Sequence, residues 1–468
     1  MRGIPQPSHG AVRTKRDCIR LRHATHSAQA SMGPARRLPR FMTDTTIKIA
    51  LVGAGMFGGD VHVRAYADLQ RAGISPQLAR IGLDGWARDL APIKFRLVAV
   101  AARTPRSAGR ARTNFKRWTG HVPQTFAGPQ PWLDVLRAFP DLDVLAVATP
   151  DHLHAEVILA ALKADTHVLT EKPMCLDIAE ADQIIELAQA RQRIVAVDMH
   201  KRYDPDHLRI RQEIKDRIGA PLYGLAYLEE PLQVSTRTFK WVEQSDPFSY
   251  VGTHWVDLIC HYYRCKPVSL TAVGQKQRLV RDGINAYDAV QVRVDFDNGM
   301  SISFHNNWIT PPDFEAPVNQ GHEIVGAHGK VESDQQYRGL RWWSRGGGSR
   351  TANTHFTREV PRPDGTPAYV GYGVDSLTAG LAAICRMKFF GATRASVAGL
   401  YPTAEEARIT VAIVHAARVV RDLNFKYLRA GKGAPVTARF GADGITIVDP
   451  CRLAGGKLTL QKLYRKPL

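Results

Sequence analysis

Residues 47–69, IKIALVGAGMFGGDVHVRAYADL, constrain this chain more than any other stretch. Residues 47–52 form a nearly continuous apolar run, as expected of a parallel strand buried on both faces. The run passes directly into Gly53-Ala54-Gly55-Met56-Phe57-Gly58, after which Val61, Ala65 and Leu69 recur at helical spacing. Strand, glycine turn and helix in that order predict a dinucleotide-binding turn, which the G-x-G-x-x-G spacing alone would support only weakly. Gly53 permits the tight turn, Gly55 lets the backbone approach a pyrophosphate, and Gly58 lets helix and strand pack closely. Met56 and Phe57 lie in the loop, at a helix N-terminus that attracts phosphate.

The alternation continues down the chain. Strands are predicted at 95–101, 143–148, 166–170 and 194–198, with helices between them, one at 154–163 and another capped by Asp177 with Glu180 three residues on. This order predicts an α/β fold built on a doubly wound parallel sheet. The second strand arrives later than the roughly 20 residues usual after such a turn, so residues 70–94 read as an insertion. Beyond DMHKRYDPDH the period becomes two, and residues 291–296 and 301–306 flank Asn298-Gly299, a strong hairpin signal. The expected domains are a nucleotide-binding domain over 46–200 and a largely antiparallel α/β domain over 201–430. Segment 341–366, rich in Gly, Arg, Ser and Thr, reads as a long loop, and Thr403 with Glu406 opens an amphipathic helix.

The net charge of +19 over 468 residues raises the question of nucleic acid. Residues 1–41 hold nine Arg or Lys against Asp17, and the stretch after Leu428 holds eight against two acids, so the body between is nearly balanced. Residues 1–45 are therefore read as a basic leader, disordered or non-native, and 431–468 as a basic tail; no nucleic-acid partner is expected. The leader is Arg-rich and acid-poor like a transit peptide, Met42 offers a later start, and the Arg36-Arg37 pair lacks the apolar run of an export signal. No window approaches the roughly 18 apolar residues of a membrane helix. Six scattered cysteines without a C-x-x-C pair suit reduced thiols, so a cytoplasmic protein without a membrane partner is expected.

NAD-preferring turns carry an acid at the end of the second strand, where it binds the ribose hydroxyls. The corresponding run here is Ala101-Ala102-Arg103-Thr104. No acid repels a 2′-phosphate, and Arg103 and Thr104 could bind one, so NADP is expected over NAD.

Five motifs then fall in register: the glycine loop, TPDHLHAE (149–156), EKP (171–173), KRYDP (201–205) and GTHWVD (252–257). Their order and spacing resemble the Gfo/Idh/MocA oxidoreductases over about residues 46–428. The resemblance implies an N-terminal Rossmann domain, a C-terminal α/β domain with a large open sheet, a homo-oligomer formed through that sheet, and NAD(P)-dependent redox chemistry at a carbinol of a sugar, inositol or related polyol. It also implies cofactor contacts from Thr149, Pro150, His154, Glu171 and Lys172, and a cis Lys172-Pro173 bond.

Oxidising an alcohol takes a proton from oxygen while hydride leaves carbon, so a base and a cation beside one oxygen are useful together. By the resemblance, Lys172 is the catalytic lysine and His254 the histidine of a D-x-G-x-H-x-x-D signature whose last aspartate is Asp257. Tyr250 stands in place of the first aspartate, and its phenol could share the proton chemistry if its pKa were lowered from about 10. The expected roles are His254 as general base, Lys172 as stabiliser of negative charge, Tyr250 in the carboxylate's place and Arg202 as a further substrate contact.

No metal is expected. Cys260, His261 and Cys265 lack a second ligand pair, and on a helix the two cysteines stand about 140° apart. His152 and His154 fall in a strand-to-helix connection beside the nucleotide, and His62 reads as a packing histidine. Two other functions stay open: a catalytically silent nucleotide-binding regulator, favoured by Tyr250 and opposed by Lys172 with His254, and an NAD-dependent glycosidase without net redox.

Overall fold

The computed structural model describes residues 44–454 and 457–467; the leader expected at 1–45 lies outside the described residues except for its last two. The apolar run becomes β1 (Thr46–Val52), enclosed between β2 (Lys94–Ala102) and β4 (Val144–Val147). With β3 (Gln124–Ala127), β5 (His167–Thr170) and β6 (Val195–Val197) it makes a parallel sheet of order β3-β2-β1-β4-β5-β6. The order reverses between β1 and β4, and open α/β sheets bind ligands outside the carboxyl ends of their strands at such a point. Gly53, Ala148, Glu171 and Asp198 directly follow β1, β4, β5 and β6, so this one rim collects the site.

The segment 70–94 folds as short helices, Ser75–Leu78 and Ala87–Leu90, that bury Ile74, Leu78 and Leu90. It docks on the helix Tyr372–Phe390, through Arg80 to Asp375 at 2.9 Å, Thr378 to Gln77 at 2.8 Å and Arg386 to Asp89 at 3.0 Å. That helix is apolar nearly all round, so it must be covered on all sides. It packs against the first sheet, with Gly380 so close that an added Cβ would come within 2.6 Å of Leu169 Cδ2. The expected assignment of all of 201–430 to the second domain is corrected accordingly.

The second sheet contains β7 (Pro221–Pro231), β8 (Pro267–Gln275), β9 (Ala289–Phe296), β10 (Ser301–Thr310), β11 (Asn319–Gly326) and β12 (Gly329–Asp334). All pairings are antiparallel except β10 with β7, and the β9–β10 turn uses Gly299 at φ 82°. Segment 341–366, expected as one loop, instead carries two hairpins, β13 (Arg341–Ser344) with β14 (Gly348–Thr351) and β15 (Arg358–Pro361) with β16 (Pro367–Val370). The expected basic tail is also corrected. β17 (Thr437–Gly441), β18 (Gly444–Ala454) and β19 (Lys457–Tyr464) extend the second sheet past β8, giving nine strands in the order β12-β11-β7-β10-β9-β8-β17-β18-β19. Within these strands Ala438, Ile445 and Ile447 are buried, while Arg439, Arg452 and Lys462 are exposed.

The helix Ala404–Arg429 joins the two cores. The Thr403 hydroxyl accepts the Glu406 N–H at 3.2 Å to start it. Its first residues, Ala404, Ala407 and Val411, pack with the parallel sheet, and Ala412 through Val420 with the second sheet. No described helix is long and apolar enough to cross a membrane.

Candidate active site

The glycine turn is built as its spacing requires. Gly53 has φ 99°, and an added Cβ there would collide with the Ala148 carbonyl; at Gly58 it would collide with the Gly53 carbonyl. At Gly55 a Cβ would meet nothing within 4 Å. Open space above a close-packed turn is what a pyrophosphate needs. A cavity of about 470 Å³ lies over it, lined by Gly53, Gly55, Met56 and Phe57 from the turn and by Arg103, Thr104, Thr149 and Pro150 from the neighbouring strand ends. Gly58 is buried behind the turn.

Arg103 is exposed at the rim, while the Thr104 hydroxyl accepts from Ser107 N at 3.3 Å and caps the helix Pro105–Thr119. His154 bridges the Pro173 carbonyl at 2.7 Å and the Thr149 carbonyl at 2.8 Å, so it braces the loops after β4 and β5 while lining the cavity.

Glu171 and Lys172 line the same cavity, 7% and 6% exposed, and the Lys172-Pro173 peptide is cis. Lys172 Nζ donates to the Tyr250 main-chain oxygen at 2.7 Å and stands 4.1 Å from the Tyr250 ring centroid. Burial holds its pKa below the usual lysine value, opposed by the neighbouring acids Glu171, Glu230, Asp151 and Asp198.

Tyr250 departs from expectation. Its ring is boxed by Phe239 at 4.8 Å, Trp241 at 5.4 Å and Trp308 at 6.3 Å between centroids. Burial, with Glu230, Glu171 and Asp151, pushes the phenol well above its ordinary pKa rather than below it. It therefore supplies an aromatic wall and a carbonyl to Lys172, not an ionisable oxygen.

His254 is 6% exposed and lies outside the cavity lining, its ring 4.7 Å from that of His200. Burial, with Lys172, His200, Lys201 and His207, keeps it neutral far below the usual histidine range. Arg202 is corrected as a substrate contact: Asp257 holds it through two bonds, at 2.6 and 2.8 Å, and Glu406 takes its remaining arm. This network anchors the helix Thr253–Tyr263, which carries His254, to the turn after β6.

Glu230 escaped the sequence reading. It accepts from Trp308 Nε1 at 2.7 Å, and burial raises its pKa to about 7, opposed by Lys172. Its signal was available: Gly224, Ala226, Leu228 and Glu230 share the buried face of β7, and a carboxylate at an inward position of an alternating strand demands a reason. Phe239 and Trp241, stacked at 4.6 Å, were missed because no motif marks the connection that carries them. The Cys260, His261 and Cys265 run lies along one helix and its end, and the five cysteines among the described residues are free.

A dinucleotide turn and a buried lysine opening into one cavity at the rim of a parallel sheet define a nicotinamide-dependent oxidoreductase. The chain belongs to the Gfo/Idh/MocA oxidoreductases: residues 47–199 match the oxidoreductase family with NAD-binding Rossmann fold, and residues 207–332 match the GFO/IDH/MocA C-terminal domain. Inositol 2-dehydrogenase of Acidothermus cellulolyticus is 26% identical over 297 residues, 62% of this chain and 73% of that protein. The 1,5-anhydro-D-fructose reductase of Ensifer adhaerens is 26% identical over 197 residues, 41% of this chain and 57% of that protein, so the match spans little more than half of that relative. The solved myo-inositol 2-dehydrogenase of Lactobacillus plantarum superposes with a TM-score of 0.59 at 15% identity, covering 81% of this chain and 98% of that one. The scyllo-inositol dehydrogenase of Lactobacillus casei, solved with NAD(H) and scyllo-inositol, gives 0.56 at 16% identity over 81% and 98%. Both structures share the fold.

Proposed function

We propose that this chain is an NAD(P)-dependent dehydrogenase exchanging hydride with a carbinol of a sugar, inositol or related polyol. The observation that carries this reading is the single cavity into which the glycine turn and buried Lys172 both open. Close-packed Gly53 and Gly58 around open Gly55 fit a dinucleotide. A bound nicotinamide supplies the hydride acceptor. Lys172 meets the substrate oxygen and stabilises its negative charge as the proton leaves, and His254, neutral and behind it, serves as base. Phe239, Trp241 and Tyr250 present an aromatic wall on which the C–H face of a sugar or cyclitol ring can pack while water is excluded. The relatives named for inositol and anhydrofructose support a polyol substrate.

NADP is the preferred cofactor on this reading, because exposed Arg103 stands at the rim with no acid beside it in the Ala101–Thr104 run. The protein works in the cytoplasm as a homo-oligomer through the second sheet. A screen of sugars and inositols with NAD⁺ and NADP⁺, followed by nicotinamide absorbance, tests the activity, and calorimetry with NADPH and NADH tests the preference. Steady polyol-dependent reduction and tighter NADPH binding are expected. Tyr250 in the carboxylate's place favours one second reading, a nucleotide-binding regulator; tight cofactor binding with no polyol oxidised would replace the first reading with it. Glycoside cleavage without net reduction would instead indicate the glycosidase.

A further inference from the structure

Behind Lys172, from Glu171 on the cavity wall inward, the carboxyl ends of β5 and β6 and the first helix bring acids and imidazoles together out of water. One donor atom from each of His62, Glu171 and Asp198 lies within 4.8 Å of the other two. His62 Nε2 is 2.7 Å from Glu171 Oε1, and its Nδ1 is 3.0 Å from the Tyr66 hydroxyl. Asp198 is 2% exposed, and its carboxylate oxygens lack a hydrogen-bond partner unless the neighbouring Glu171 carboxyl carries a proton. His200 Nδ1 stands 3.6 Å from Asp198 Oδ2, and the His200 ring is 4.7 Å from the His254 ring, whose Nδ1 is also unpartnered.

Two carboxyl groups this close in a dry interior do not both ionise. Burial and the neighbouring Asp198 charge push Glu171 well above the carboxylate range, so it holds a proton. Burial pushes Asp198 up, but hydrogen bonding from His200 and from the Glu171 carboxyl works against burial, and the net shift of Asp198 is downward. His62 is neutral, its pKa lowered to about 4 by burial. Lys172 on one side and Lys201 beyond His200 are the cations that face the group, and Tyr372 stacks on His200 from the helix Tyr372–Phe390.

We propose that Glu171 and Asp198 form a proton-sharing pair that receives, through His200, the proton leaving the substrate hydroxyl at His254. The inference rests on the dehydrogenase reading. In the oxidation the C–H bond breaks with its electron pair going to the oxidised nicotinamide, and the O–H bond breaks with its proton going to His254. His254 passes a proton to His200 and His200 passes one to Asp198, so both imidazoles return to neutral and the carboxylate becomes a carboxylic acid. The positive charge lost from the nicotinamide ring is matched by the negative charge lost from Asp198, and no unpaired charge is left in a low-dielectric interior. This supplies the carboxylate function that Tyr250 lacks, from the parallel sheet instead of the helix. Asp198 acts through His200 and is a positioning residue, not a group that touches substrate.

Infrared spectroscopy of the protein without cofactor or substrate tests the pair apart from the activity. A deuterium-sensitive carboxylic acid band is expected at neutral pH, lost in Glu171→Gln and shifted in Asp198→Asn. Turnover with the best polyol of the screen should fall about 10- to 100-fold in Asp198→Asn, with a larger solvent isotope effect, a displaced pH profile and unchanged cofactor affinity; His200→Gln should match it and serves if Asp198→Asn does not fold. Absence of the band, a parental pH profile in folded Asp198→Asn or His200→Gln, or a stoichiometric ion bound among the three side chains would overturn the proposal. A band that behaves as expected in a protein that oxidises no polyol would retain the shared proton and reject the relay.

Discussion

Lys172 meets the face and the main-chain carbonyl of Tyr250, not its hydroxyl. Tyr250→Phe keeps both contacts, so turnover should stay near that of the parent. Tyr250→Ala removes a cation–π contact of about 0.5–2 kcal/mol and should lower turnover further. Steady-state rates of the two variants check this. Glu230 gives a prediction in pH. Its pKa rises from 4.5 to about 7 on folding because the carboxyl is buried. Between these values the folded protein holds a proton that the unfolded chain releases, so the stability from this group is present below about pH 4.5 and lost as pH rises through 7. Glu230→Gln keeps an acceptor for Trp308 without titrating. Its unfolding free energy in urea should match the parent's near pH 4.5 and exceed it near pH 8, by at most about 3 kcal/mol. A constant difference across that range would contradict the burial argument.

Elements with a strong local pattern were legible in the sequence. β1 with its turn, and the β9–β10 hairpin at Asn298-Gly299, needed only apolar periodicity and glycine. The long-range assembly was less so: nothing local shows that Arg202 belongs to Asp257 and Glu406, which follow it in distant helices, so a basic side chain near a cleft read as a ligand for substrate. The pairing predicts that Arg202→Ala leaves the nearly buried Asp257 uncompensated and costs about 3–5 kcal/mol of stability. Denaturant unfolding should show the loss, and polyol KM should change little in the protein that remains folded. Segment 341–366 hid its hairpins because their strands are mostly exposed and carry no apolar alternation. Lys172 and the glycine turn were legible as motifs, whereas Asp198, Glu230 and Trp241 depend on which strand ends and connections meet.

At the scale of the molecule, charge concealed structure at the C-terminus. Residues 437–464 were read by their basic count, yet Ile445 and Ile447 alternate into the core, and buried Asn424 donates to the Ala272 and Val436 carbonyls and accepts Val436 N–H. A chain ending at Gly431 uncovers β8 and the helix Ala404–Arg429; it should lose soluble yield and more than about 3 kcal/mol of stability, checked by melting temperature. Two cores tied by one helix leave the rim of the parallel sheet facing the second domain, where Lys172 stands. The most direct measurement is the rate of nicotinamide reduction by the best polyol of the screen, in the parent and in Lys172→Ala, with cofactor affinity measured on the same samples. The parent should reduce cofactor steadily and the variant should lose about 10²- to 10⁴-fold in rate with affinity nearly unchanged. A variant that keeps the parent's rate would contradict the account.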